Sequence, residues 1–174
     1  MKNKVAIITC VYGTYEASCK PIKPQTTPVD LICFSNLSPD KIKLNGWELD
    51  NTPYHETHPV EIDKSNLRNS LKNNKHTYNI GKYYKFMWHY IPRLQEYDVV
   101  IWVDATVEII HPNAVEMLVD RAKRYGICTW NHERHGGNLF NEVQACSNDH
   151  RFNSTNWFGQ NQPLQPVKEQ YRDY

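Results

Sequence analysis

The chain reads as an α/β fold with a mainly parallel central sheet flanked by helices, and three observations predict it. Apolar, β-branched runs at residues 4–12, 29–35 and 99–103 have the length and composition of strands buried on both faces. Helical patterns lie between and after them, so strands alternate with helices. The run Val99-Val100-Ile101-Trp102-Val103 stops at a lone acid, Asp104, as a strand does where its carboxyl end leaves the core toward a ligand.

The first strand, residues 4 to 12, closes on Tyr12-Gly13, where glycine permits a sharp turn and the close approach of a ligand. The second runs from Val29 to Ser35 with Asp30 near its start. Between them Pro21, Pro24 and Pro28 disfavour a long helix, since each removes a backbone donor. Residues 47 to 50, Trp-Glu-Leu-Asp, make a short third strand. From Lys64 to about Asn74, Leu67 and Leu71 fall at i and i+4, which predicts a polar, basic helix carrying Arg68 and Lys72 along one side. A second helix, from about Ile80 to Tyr90, is aromatic: Tyr83, Tyr84, Phe86, Met87 and Tyr90 supply a stripe for the sheet, and Pro92 ends it. Pro112 opens a third helix through about Tyr125, with Val115, Leu118, Val119 and Ala122 on its buried side and Gly126 as its stop signal. Ile127 to Trp130 reads as a further strand, and the last third as irregular chain with a short helix from Leu139 to Cys146.

Size and charge exclude several classes. At 174 residues and 40% hydrophobic content the chain suffices for one domain with a core and is short for two, so it reads as a single domain, whole or cut from a longer polypeptide. Twenty basic against nineteen acidic side chains leave +1, which argues against a general affinity for nucleic acid or anionic membrane. No stretch approaches membrane-spanning length, and the apolar run after Met-Lys-Asn-Lys is too short and too β-branched for a signal peptide, so the expected location is cytoplasmic. Cys10, Cys19, Cys33, Cys128 and Cys146 are odd in number and lack C-x-x-C spacing, which predicts reduced, buried thiols. The triplets Asn36-Leu37-Ser38 and Asn153-Ser154-Thr155 fit the glycosylation sequon, which has meaning only in a secreted chain.

If the strands at 4–12, 29–35 and 99–103 lie side by side in parallel, Thr9 to Tyr15, Phe34 to Asn36 and Asp104 to Thr106 converge at their carboxyl ends. That is a nucleotide-shaped arrangement. Thr9, Val11, Tyr12, Gly13, Tyr15 and Phe34 are placed to surround a base and ribose, and Asp104, flanked by Val103, Ala105 and Thr106, to ligate a divalent metal on a diphosphate. The plainer alternatives are a turn-forming Asp104 and aromatics that only fill the core. Arg68 and Lys85 are cations suited to phosphate oxygens, against the alternative of a solvated basic face. His132, Glu133, Arg134 and His135 crowd polar groups beside two glycines, but two residues between the histidines is not the His-Glu-x-x-His zinc spacing. Glu142, on the short helix that follows, is a candidate base, a sugar-hydroxyl acceptor or a helix N-terminal acid. Neither G-x-x-x-x-G-K-[ST] nor G-x-G-x-x-G occurs, and Cys10 and Cys146 carry no nucleophile signature.

Several blocks carry a resemblance through their order and spacing. They are Ile-Ile-Thr-Cys-Val-Tyr-Gly-Thr-Tyr near the start, Asp-Leu-Ile-Cys-Phe-Ser followed by Trp47, Tyr84-Lys85, Tyr-Asp-Val-Val-Ile-Trp-Val-Asp-Ala-Thr-Val-Glu-Ile, Asn-His-Glu-Arg, and Phe-Asn-Glu-Val-Gln-Ala-Cys. Over most of its length the chain resembles a family of GT-A-type glycosyltransferases, related to a plant and microbial group long classed as a domain of unknown function and to glycosyltransferase domains of large DNA viruses of algae. The resemblance implies a GT-A-like, Rossmann-like domain that transfers a hexose or deoxyhexose from a nucleotide-sugar donor, usually a uridine diphosphate, to a carbohydrate acceptor. It also implies a divalent cation, Mn²⁺ or Mg²⁺, near Asp104. The chain departs from the family's Asp-x-Asp signature, because Thr106 stands where the second acid belongs. One carboxylate with donor phosphates and water then completes the oxygen shell, or cations such as Lys85 neutralise the diphosphate instead. An inverting transferase needs a base near the acceptor hydroxyl, for which Glu142, His132 and Asp149 are candidates; a retaining one needs none. Two other readings stay open: an inactive nucleotide-sugar or carbohydrate-binding module, and a phosphoryl- or nucleotidyltransferase, which calls for more clustered carboxylates.

Overall fold

The computed structural model describes residues 3–13, 16–53, 77–126 and 128. The chain divides into two compact units, Met1–Cys128 and Thr129–Tyr174, and all the described residues belong to the first. Strands β1 (Val5–Val11), β2 (Asp30–Ser35), β3 (Glu48–Asp50) and β4 (Val99–Trp102) form one sheet in the order β3-β2-β1-β4. Every pairing is parallel: Ile7 sits opposite Leu31 on one side and Ile101 on the other, and Cys33 sits opposite Leu49. The α/β class predicted from alternating strands and helices is therefore present, in a sheet that is wholly parallel among the described residues.

The central position of β1 follows from its sequence. A strand between two neighbours and under cover on both faces has no use for alternation, and Val5, Ala6, Ile7, Ile8, Thr9 and Val11 are all buried. Helix α1 (Thr77–Phe86) covers one face, where Tyr84 stacks on Phe34 of β2 with ring centroids 4.4 Å apart. On the opposite face Val115 and Val119 of helix α2 (Ala114–Tyr125) join Val5, Ile7, Val11, Cys33 and Trp47 in one cluster. Each fully buried Ile or Phe in these layers contributes about 1.5–3 kcal/mol relative to exposure, so the two-faced core is the main source of stability.

Three boundaries and burials differ from the sequence reading. The strand at 99–103, expected to be buried on both faces, is half-buried throughout Val99–Trp102, because among the described residues it is the edge of the sheet. The aromatic helix spans Thr77–Phe86 rather than 80–90: the last α-type bond runs from Met87 N–H to Tyr83 O, after which Tyr90 N–H reaches only to Met87 O in a 3-10 turn. Ile80, Tyr83 and Tyr84 form its buried stripe, while Phe86 and Tyr90 are 63% and 44% exposed. Helix α2 begins at Ala114, two residues after Pro112, and its first turn is completed from outside when Gln25 Oε1 accepts Val115 N–H at 3.1 Å. Its end is as expected: Gly126 at φ +76° donates to Ala122 O at 2.7 Å.

The proline-rich connector between β1 and β2 contains no helix among its described residues. It is held by isolated parallel bridges, Ser18 to Lys43 and Ile22 to Ile109. The helix expected at 64–74, the strand at 127–130 and the helix at 139–146 lie outside the described residues, apart from Cys128.

Candidate functional site

A parallel sheet collects the carboxyl ends of its strands on one rim, and here β1 has β2 and β4 as its two neighbours. The condition for convergence of the first strand's turn, Phe34 to Asn36 and Asp104 to Thr106 is thus met. At the end of β1, Gly13 adopts φ +79°, in the left-handed region that favours glycine, and its N–H donates to Asn36 Oδ1 at 2.8 Å. Ser35 Oγ donates to Val11 O at 2.5 Å and accepts Leu37 N–H at 3.0 Å, so the loops leaving β1 and β2 are tied together.

Asp104 stands just beyond β4. Val103 N–H donates to Ile8 O, carrying the ladder one step past the strand, and Val107 N–H then closes a turn on Asp104 O at 2.8 Å. Val103 and Ala105 are buried and anchor that turn, while Asp104 and Thr106 are exposed. The Asp104 carboxylate accepts the Trp102 indole N–H at 2.9 Å, which fixes its orientation without covering it. Trp102 also carries Lys85 Nζ 6.0 Å from its ring centroid, so a cation of α1 and the rim acid share one aromatic side chain.

The second carboxylate of this rim escaped sequence reasoning. Burial, and then the charge of Asp104, push the Glu16 carboxyl above its usual range, with Lys20 pulling the other way. Lys20 N–H donates to Ala105 O at 2.8 Å and Lys20 O accepts Trp47 Nε1–H at 2.8 Å, which pins the segment after the β1 turn against the Asp104 loop. The available signal was topological: a connector leaving the carboxyl end of the central strand must cross the rim where a neighbouring strand also ends. Thr106, in the place of a second acid, is thus not the only neighbour Asp104 has.

A cavity of about 240 Å³ opens at the ends of β2 and β3, lined by Phe34, Asp50, Thr52, Tyr84, Ile91, Pro92 and Arg93. It has room for one ring-sized group rather than a whole nucleotide. Arg93 donates from Nη1 to Asp50 at 3.0 Å and meets Glu48 at 2.6 Å. Burial alone would lower this guanidinium's pKa, but the two carboxylates outweigh it and hold it above its usual value. Phe34 and Tyr84 form the aromatic wall. Burial, followed by the nearby Tyr12 hydroxyl at 3.2 Å, pushes the Tyr84 phenol well up, so it stays protonated.

Of the residues expected to surround a nucleotide, Gly13 lies at the rim and Phe34 against the cavity, and these two are buried like Thr9, Val11 and Tyr12. Tyr12 packs on Tyr84, centroids 5.9 Å apart, which is the plainer packing role weighed for these aromatics. Tyr15, Arg68, His132, Glu142 and Asp149 lie outside the described residues. Asp30, at the start of β2, accepts the Tyr97 hydroxyl at 2.7 Å and belongs to the other end of the sheet.

Among the described residues no group of three or more His, Cys, Asp or Glu side chains stands ready to hold a metal. Asp104 and Glu16 offer carboxylate oxygens, the donor type that a hard divalent cation takes. No protein-family model matches the sequence, and comparison with curated proteins and with solved structures finds no match.

Proposed function

We propose that the chain is a glycosyltransferase of GT-A type, moving a sugar from a nucleoside-diphosphate donor of the uridine class to a carbohydrate acceptor. The observation that carries this reading is the strand order β3-β2-β1-β4, which puts the exposed Asp104 and the glycine turn at Gly13 on one rim of a parallel sheet. The ring-sized cavity beside Phe34 and Tyr84 supports the same reading.

Departure of a nucleoside diphosphate builds negative charge on the leaving oxygen, so catalysis calls for positive charge fixed beforehand at that point. Asp104 and Glu16 are the residues that would hold Mn²⁺ or Mg²⁺; when bound, the cation supplies Lewis-acid stabilisation of the diphosphate. Trp102 orients the Asp104 carboxylate, and Lys85 and Lys20 add positive charge nearby. Apolar burial of Val103 and Ala105 keeps the Asp104 turn rigid, which limits reorganisation as charge develops.

Titrating UDP-sugars with and without Mn²⁺ while measuring released UDP tests the proposal. Cation-stimulated UDP release supports a transferase. Tight donor binding without release under any acceptor supports the inactive binding module, and failure to bind UDP removes both.

A further inference from the structure

We infer that Cys19 and Cys33 are a reversible dithiol–disulfide pair, a redox latch that fastens the segment after the β1 turn onto β2. Their Sγ atoms lie 3.4 Å apart in a thiol–thiol hydrogen bond, and both side chains are wholly buried. A disulfide is about 2.05 Å long, so closure requires an approach of only about 1.4 Å. Both backbones are already fixed. Cys19 N–H donates to Lys43 O at 2.9 Å and Cys19 O accepts Asn45 Nδ2–H at 2.7 Å, while Cys33 sits in the ladder opposite Thr9.

The two thiols are unequal. The hydrogen bond shared with Cys33 lowers the Cys19 pKa, whereas that same bond and burial push Cys33 far up, so Cys19 is the attacking sulfur. A peroxide is the oxidant class small enough for a dry layer. The Cys19 thiolate attacks one oxygen of hydrogen peroxide, the O–O bond breaks, and the departing hydroxide takes a proton to become water. The Cys33 thiol then attacks the Cys19 sulfenic sulfur, forming the S–S bond and expelling the second oxygen as water with the Cys33 proton. Two thiols are oxidised, one peroxide is reduced, and two waters leave. Thr9, register partner of Cys33, brings to this layer a buried hydroxyl with no hydrogen-bond partner, a ready donor for the transient sulfenic oxygen.

The bond joins positions 14 apart and stiffens the stretch that includes Lys20, whose N–H holds Ala105 beside Asp104. The test uses the full chain, treated with stoichiometric hydrogen peroxide, denatured, alkylated and cleaved after glutamate. Cleavage at Glu16 and Glu48 isolates a fragment, residues 17–48, that holds Cys19 and Cys33 and leaves Cys10 elsewhere. The expected fragment is two hydrogens lighter and unalkylated, reverts with dithiothreitol, and is absent from Cys19→Ser and Cys33→Ser. The oxidised wild type should also melt about 5–10 °C higher. Recovery of the wild-type fragment alkylated at both cysteines after peroxide, or a bond from either one to Cys10, overturns the inference. Neither outcome depends on whether the chain transfers sugar.

Discussion

At the amino end of the sheet unlike groups interlock, whereas at the carboxyl end of β4 the exposed Asp104 accepts one indole N–H and makes no ion pair among the described residues. Lys4 pairs with Glu96 at 2.6 Å, its N–H donates to Asp98 at 2.8 Å, its ammonium lies 4.7 Å from the Tyr97 ring centroid, and Tyr97 donates to Asp30 at 2.7 Å. On the other rim burial, and then the charge of Asp104, raise the carboxyl of Glu16. Folding favours the first arrangement and gains nothing from the second, a contrast that the proposed donor site accounts for.

The largest expected effect concerns the acid rim. Asp104→Ala should lower turnover by roughly 10³-fold, about 4 kcal/mol of transition-state stabilisation, in a UDP-release assay. Its melting temperature should stay the same or rise slightly, since an exposed carboxylate that opposes Glu16 is removed. A large drop in melting temperature would instead make Asp104 a structural turn former.

Glu16→Gln should weaken Mn²⁺ binding about tenfold, measured by calorimetry. The sign of its pH dependence follows from the raised carboxyl: acidification protonates Glu16 above the usual carboxylate range, so wild-type cation affinity falls there earlier than an ordinary acid would allow. The same proton favours the folded state, so stability does not fall with affinity over that range. The substitution should flatten the affinity profile.

At the amino end, Tyr97→Phe should cost about 1 kcal/mol, a few degrees in melting temperature, and leave UDP release unchanged. Burial, then the Asp30 hydrogen bond, raises this phenol from 10.0 to about 12. The unfolded chain loses that proton first, so the contribution is complete below pH 10 and disappears as pH rises to about 12, which denaturation at graded pH will register. Smallest of all, Lys4→Ala should change stability by less than about 1 kcal/mol, because its ion pair with Glu96 is half in solvent and screened by salt.

What was legible in the sequence followed from burial. Continuous β-branched runs marked β1 and β2, Trp47 to Asp50 marked β3, and Val115, Val119 and Gly126 marked α2, because each pattern is forced by a covered face or a left-handed stop. The composition of β4 matches that of a central strand, yet it is half-buried and lies at the sheet edge among the described residues, a property of strand order that no local run encodes. Phe86 and Tyr90 misled for two reasons: Phe86, six residues after Ile80, falls off the buried Ile80-Tyr83-Tyr84 stripe, and the helix has tightened into a 3-10 turn before Tyr90. In the candidate site, Asp104 and Gly13 were readable from a strand end and a turn. Glu16 was not, since its relation to Asp104 spans 88 positions and arises only when the connector crosses the rim.

Calorimetric titration of UDP in the presence of Mn²⁺ into the wild type and Asp104→Asn, at matched melting temperature, probes the acid rim most directly. The expected result is saturable binding by the wild type that weakens at least tenfold in the variant and is lost from both when Mn²⁺ is withheld. Equal affinity in the two proteins would place the diphosphate away from Asp104 and contradict the assignment.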